Sequence, residues 1–160
     1  LQEKFVSTPL ERTKGYFVGD AFILVPILRA GLGLVGGFVE VLPDARVGHV
    51  GLYRDETTLR PVDYYLKLPR KLDRSLVFIL DPMLATGGSA VAAVTVLKSK
   101  GAKKIRFVSL VAAPEGVRKL SKAHPAVAIY TCALDRQLNS KGYILPGLGD
   151  AGDRIFGTAD

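Results

Sequence analysis

Short apolar runs, each followed by residues at helical spacing, leave this chain few folds to choose from. Phe22-Ile23-Leu24-Val25 and Leu76-Val77-Phe78-Ile79-Leu80 contain no polar residue at all. Such runs mark strands covered on both faces, the usual state of a parallel sheet. Behind the first, Leu34, Val35, Phe38 and Leu42 recur at helical spacing until Pro43 stops them. Behind the second, Val91, Val94 and Leu97 form a stripe over Ala90 to Lys100, with Gly101 at its end. Ile105 to Ala112 reads as a further strand, and Pro114 opens a helix that ends near His124-Pro125. Val127 to Leu134 reads as a last core strand. Strands alternating with helices predict an α/β fold: one domain over residues 1–160, a twisted parallel sheet with helices on both faces.

One section departs from the alternation. Arg46 to Tyr53 and Val62 to Leu68 both read as strands, and Arg54 to Pro61 between them is polar and turn-prone. That pattern predicts a β-hairpin arm with a mobile tip. A chain of 160 residues, 48% hydrophobic and 23% charged, has the profile of a globular protein rather than a disordered one. Its one cysteine, Cys132, cannot form an internal disulfide, which points to a reducing compartment. No secretory leader opens the chain, which begins Leu1-Gln2-Glu3. The most apolar stretch, Ala21 to Pro43, carries Arg29 near its middle, where a charge costs roughly 2.5–3.5 kcal/mol on insertion scales. Pro26 and the glycines weaken it further, so a membrane span is not expected.

Three places can hold chemistry. Gly31-Leu32-Gly33-Leu34-Val35-Gly36 matches the G-x-G-x-x-G dinucleotide pattern after a strand and before a helix. However, the next strand ends in Tyr53-Arg54 instead of the acid that would hold a ribose, and close helix-to-sheet packing accounts for the later glycines without a ligand. The second place, Asp81-Pro82-Met83-Leu84-Ala85-Thr86-Gly87-Gly88-Ser89, follows the buried strand and opens a helix. Backbone N–H groups from Thr86 to Ser89, two hydroxyls and a helix dipole together suit a phosphate. A plain strand-to-helix turn capped by Ser89 would explain the serine, but not an acid at the strand end beside Thr-Gly-Gly. The third place, Gly142 to Arg154, is irregular and carries Gly142, Gly147, Gly149 and Gly152. Its unhindered main-chain groups suit the edge of a flat heterocycle.

These motifs resemble the uracil phosphoribosyltransferases, a branch of the type I phosphoribosyltransferases. The resemblance rests on VPILRAGLG at 25–33, GLYRDE at 51–56, DPMLATGGS at 81–89, VAAPEG at 111–116 and GYILPGLGDAGDR at 142–154. It implies a type I phosphoribosyltransferase fold with the hairpin arm and a C-terminal hood loop, lacking the N-terminal part of the family domain. It also implies a cytoplasmic enzyme of pyrimidine salvage that makes UMP and pyrophosphate from uracil and 5-phosphoribosyl 1-pyrophosphate (PRPP). The chain's formal charge of +7 suits so anionic a donor.

The resemblance further assigns residues. Asp81, Pro82, Met83, Leu84, Ala85, Thr86, Gly87, Gly88 and Ser89 would hold the donor's phosphate and ribose, and Arg29 and Arg54 its pyrophosphate. Ile144, Gly149, Asp150 and Ala151 would take uracil, with Asp150 also reaching the donor or its Mg²⁺. The catalytic set is then Arg29, Arg54, Asp81 and Asp150, with the arm 54–61 closing over the donor. Where the wider superfamily has two adjacent acids this chain has Asp81-Pro82, and where it often has an acidic base this chain has Ala85. Mg²⁺ would therefore ride mainly on the donor, and no general base for uracil N1 can be named. A homodimer or larger assembly is expected, and some relatives respond to GTP.

Two other functions compete. One is a PRPP- or UMP-binding regulator of a pyrimidine operon, which would bind RNA through Lys98, Lys100, Lys103 and Lys104. The other is a dinucleotide-dependent oxidoreductase. His49, His124 and Cys132 have no partners at catalytic spacing and read as structural.

Overall fold

The computed structural model describes residues 1–19, 21–54 and 61–158, with the side chains of 53, 54 and 61–63 left aside. In chain order the elements are β1 (Gln2–Ser7), β2 (Arg12–Phe17), β3 (Ala21–Leu28), α1 (Leu32–Val41), β4 (Arg46–Val47), β5 (His49–Arg54) and β6 (Pro61–Lys67). After a short 3₁₀ turn at Leu72–Arg74 come β7 (Ser75–Leu80), β8 (Met83–Leu84), α2 (Gly88–Ser99), β9 (Lys104–Ala112), α3 (Pro114–Ala123) and β10 (Ala128–Leu134). The chain closes with β11 (Gln137–Leu138), β12 (Ile144–Leu145) and α4 (Ala151–Phe156).

The main sheet runs in the order β10-β9-β7-β3-β5-β6. Its pairs are parallel from β10 to β5, with Val25 opposite Ile79 and Ile79 opposite Phe107. The β5–β6 pair is antiparallel, so the hairpin arm turns a parallel sheet into a mixed one. The arm's tip, residues 55–60, lies outside the described residues, and with it the expected lid.

Val77 and Ile79 share one buried cluster with Val94 and Leu97 of α2 and Phe107 of β9. Phe78 points the other way, as strand alternation requires, and its ring meets Phe38 of α1 at 5.6 Å between centroids. Right-handed crossovers from β7 through α2 to β9, and from β9 through α3 to β10, account for α2 and α3 packing together.

From β3 the chain first builds outward to β5 and β6, then returns to lay β7 on β3's other side. Between β3 and β7 the direction of building reverses, so the turns leaving their carboxyl ends diverge. In open α/β sheets that is where a ligand crevice forms. Arg29 and Ala30 leave β3 there, and Asp81 leaves β7.

Several expectations need correcting. The β1–β2 hairpin was invisible to periodicity because Phe5, Leu10, Tyr16 and Val18 stand in solvent, so no buried face leaves a pattern. β10 is an edge strand, not a core strand: it has one neighbour, and Tyr130 and Leu134 are exposed. Residues 151–156 form a helix where an irregular loop was expected, too short for a periodic signal and started by an Asp150 cap. Gly36 and Gly37 have nothing within 4 Å of an added Cβ, so close packing against the sheet does not explain them. Helix α1 is apolar throughout yet buries no residue.

A close approach between backbones ties α3 to the 81–89 loop. A Cβ on Gly116 would strike the carbonyl oxygens of Leu84 and Ala85. Alanine there would favour the helix intrinsically by up to about 1 kcal/mol. Overpacking against fixed backbone costs about 1–3 kcal/mol, and that term wins. Gly116→Ala therefore lowers the unfolding free energy in urea, and an unchanged or raised midpoint would contradict the contact.

Candidate functional site

The loop after β7 begins at Asp81, whose N–H donates to Val108 O of β9. Its Oδ1 accepts a long hydrogen bond, 3.4 Å, from the Met83 N–H. Burial pushes the Asp81 carboxyl up to about 7; the Met83 N–H opposes this, and the negative charge of Asp150 adds to it. Leu84 is anchored in the core, and Ala113 N–H donates to its carbonyl.

The chain then turns sharply at Gly87, whose φ of +76° is the left-handed conformation that glycine adopts without strain. Gly87 is the N-cap of α2, which starts at Gly88, two residues before its expected start, and no side chain caps it. A serine cap at Ser89 is thus excluded. Ser89 lies in the first helical turn, where its hydroxyl is available to a ligand together with the first free N–H groups of the helix.

Two adjoining cavities meet at this loop. A cup of about 90 Å³ is lined by Asp81, Met83, Leu84, Ala85, Thr86, Gly87, Gly88, Ser89 and Ala90. A cleft of about 240 Å³ shares Asp81, Met83 and Ala85 with it and adds Ala30, Gly142, Tyr143, Ile144, Gly149, Asp150, Ala151 and Gly152. The first suits one phosphoryl group and the second a sugar with a flat ring. Ile144, Gly149, Asp150 and Ala151, expected to act together, are all in the cleft wall. Pro82 lines neither cavity; its carbonyl accepts the N–H groups of Leu110 and Val111, which fixes the loop to β9. Tyr143 and the β11–β12 ribbon complete the far wall.

Polar braces hold that wall, and the sequence gave no signal of them beyond their residues lying in or beside the motif blocks. The Glu115 carboxylate accepts the Leu138 N–H at 3.2 Å, and Asp135 Oδ2 accepts the Gly147 N–H at 2.9 Å. Glu115 is held below its ordinary range by its own backbone N–H and by that of Leu138. Asp150 Oδ1 accepts the Asp153 N–H at 3.0 Å and so caps α4. Its structural task therefore accompanies its place in the cleft.

Arg29 is arranged differently from expectation. Its Nη2 pairs with Asp153 at 3.0 Å and its Nη1 donates to the Thr158 hydroxyl at 3.1 Å. The Thr158 hydroxyl, then Arg29, hold the Asp153 carboxyl low. The Arg29 side chain is half exposed (53%) and does not line the cleft, but Nη2 and Asp150 Oδ1 both lie within 4 Å of a Cβ added to Gly152. It stands at the rim. The side chain of Arg54 lies outside the described residues. Among the described residues no group of three or more His, Cys, Asp or Glu gathers as a metal site.

In the basic cluster of the RNA reading, Lys98 Nζ lies 3.2 Å from His124 Nδ1. In the dinucleotide reading, the three glycines do not act alike: a Cβ on Gly31 would strike Leu80 O, Gly33 meets Ile155, and Gly36 touches nothing.

A sheet with this order, carrying a phosphate-sized cup between β7 and α2 and a hooded cleft beside it, defines a type I phosphoribosyltransferase. A family model for uracil phosphoribosyltransferase matches residues 1–158. The uracil phosphoribosyltransferase of Fervidobacterium nodosum is 61% identical over 154 residues, which is 96% of this chain and 74% of that protein. That of Streptococcus uberis is 58% identical over 159 residues, 99% of this chain and 76% of the relative. Among solved structures, the AQ2163 protein from Aquifex aeolicus aligns with a TM-score of 0.89 at 40% identity, covering 99% of this chain and 76% of that one. A purine phosphoribosyltransferase from Pyrococcus horikoshii, 19% identical over 71% of this chain and 70% of its own, has a TM-score of 0.58 and shares the fold. The chain belongs to the uracil phosphoribosyltransferase family. Neither the RNA regulator nor the oxidoreductase is favoured by these matches.

Asp81 gives a testable pH dependence. Its carboxyl sits at about 7 in the folded chain and near 3.8 in the unfolded one. The folded state thus holds the extra proton between those values, and stability from this group falls as pH rises from about 4 to 7. Asp81→Asn flattens that part of the curve in urea titrations across pH. A variant with the same slope as the parent would remove Asp81 as its source.

Proposed function

We propose that this chain transfers the 5-phosphoribosyl group of PRPP to N1 of uracil, giving UMP and pyrophosphate, with residues 1–160 acting as one domain. The carrying observation is the shared wall of cup and cleft, where Asp81, Met83 and Ala85 face both. A 5′-phosphate in the cup and a base in the cleft would set the ribose across that wall. The bond from ribose C1′ to pyrophosphate oxygen breaks, the bond from C1′ to uracil N1 forms, and the N1 proton leaves to solvent.

Backbone N–H groups at the start of α2 and the hydroxyls of Thr86 and Ser89 bind the phosphate. This costs little reorganisation, because the Gly87 turn already aims them. Asp81 and Asp150 face the ribose as positive charge builds on it. That charge draws Asp81 toward its ionised form, which its neutral-leaning resting state withholds until the donor is in place. Uracil sits against Ile144 and reads the main chain from Gly149 to Ala151.

Arg29 grips the pyrophosphate by exchanging Asp153 for it. An exposed ion pair is worth about 0–1 kcal/mol, so a polyanion displaces it readily. Arg54 is the second contact, carried by the arm. Two carboxylates on one cleft, Asp81 and Asp150, fit Mg²⁺ that keeps phosphate oxygens and waters as its other ligands. When bound, the metal offsets charge on the departing pyrophosphate.

Membership in the family supports a cytoplasmic, homo-oligomeric enzyme of pyrimidine salvage with GTP as effector. The uncovered apolar length of α1 supports the assembly.

The deciding assay incubates the chain with labelled uracil, PRPP and Mg²⁺ and looks for UMP, with cytosine and orotate as controls; no UMP from uracil overturns the proposal. Arg29→Ala lowers kcat/KM for PRPP by about 100-fold while leaving the KM for uracil in place. Unchanged donor kinetics would rule out its role.

A further inference from the structure

The phosphate cup has no cation of its own. Asp81, Met83, Leu84, Ala85, Thr86, Gly87, Gly88, Ser89 and Ala90 carry one acid and no base, while the group they are read to bind carries about two negative charges at neutral pH. A cation does stand beside it, supplied by α3. The backbone approach at Gly116 brings α3 against the loop, and three residues later, about one helical turn, Lys119 lies over the same place. Its Cβ is 3.3 Å from a Cβ added to Gly87. Its Nζ is 3.9 Å from one added to Gly88, a point that Thr86 Oγ1 approaches to 3.7 Å. The ammonium and the hydroxyl therefore border the same space in front of the first turn of α2.

Lys119 is exposed and, among the described residues, makes no hydrogen bond or ion pair. Its neighbours differ in this respect. Arg118 acts on the Glu115 carboxylate, and Lys98, on the last turn of α2, faces His124. A flexible ammonium suits a terminal phosphoryl group as a mobile point charge, whereas the fixed N–H groups of the loop supply direction.

We propose that Lys119 is a donor-binding residue: its ammonium closes over the 5′-phosphate in the 81–89 cup and supplies the positive charge that the loop lacks. This rests on the phosphate reading of that loop. The role concerns affinity rather than bond-breaking, because the 5′-phosphate does not react. A charged hydrogen bond discounted for exposure corresponds to about a three- to tenfold change in affinity.

The test measures ribose 5-phosphate binding by calorimetry and steady-state kinetics for PRPP in Lys119→Gln, Lys119→Glu and Lys119→Arg. Lys122→Gln on the same helix is the control. Lys119→Gln raises the ribose 5-phosphate Kd and the PRPP KM by about three- to tenfold, leaving kcat and the uracil KM unchanged. Lys119→Glu weakens binding further, Lys119→Arg restores most of it, and the differences shrink at high salt. Wild-type affinity in Lys119→Gln, or an equal loss in Lys122→Gln, overturns the proposal. If the unmodified chain binds no ribose 5-phosphate, the loop reading itself fails, and the role of Lys119 falls with it.

Discussion

Everything the site does depends on backbone touching backbone where the strands end. Gly31 packs against the carbonyl of Leu80, and Gly116 packs against those of Leu84 and Ala85. The first contact seats the turn after β3 on the end of β7; the second seats α3 on the loop after β7. With a Cβ at either place the neighbouring carbonyl would have to move, and the cup and cleft would lose their common wall. Packed interiors transmit such shifts instead of absorbing them. The cup keeps its shape because the elements around it have little freedom to withdraw.

On that fixed frame the charged groups are held loosely. Arg29 rests on Asp153 and Thr158 at the rim, Asp150 caps α4 while facing the cleft, and Asp81 sits at the strand end close to the midpoint of its titration. None is locked in a deeply buried pair. A polyanionic donor can therefore exchange one partner for another at small cost, and the positive charge of the transition state meets carboxylates that respond to it. The hood is stiffer on its far side, where Glu115 and Asp135 each hold a main-chain N–H. That division suits a ligand read at one end through its base edge and at the other through its phosphates.

Much of this was legible beforehand, and the reasons differ from element to element. β3 and β7 announce themselves because a strand buried on both faces must be apolar at every position. The 81–89 loop stands out because an acid, a hydroxyl and paired glycines at a strand end are chemically expensive to place without use. The four cleft residues Ile144, Gly149, Asp150 and Ala151 came through resemblance, and they do share one wall. By contrast, the β1–β2 hairpin and α4 left no trace, since neither buries a face long enough to impose a period. The brace from Glu115 to Leu138 spans 23 positions, and no local pattern encodes a contact at that distance.

The sequence by itself determined the strand and helix order, the position of the glycine turn at the start of α2, and the family. These depend on local spacing and on residue types with few alternative uses. Only the tertiary structure decided that Arg29 waits on Asp153, that β10 lies at an edge, that Asp150 serves a helix as well as the cleft, and that α3 carries Lys119 to the cup. Each of those is a meeting between segments far apart in the chain. Such meetings are set by how the sheet orders its strands and how closely backbones approach, quantities that no single segment contains.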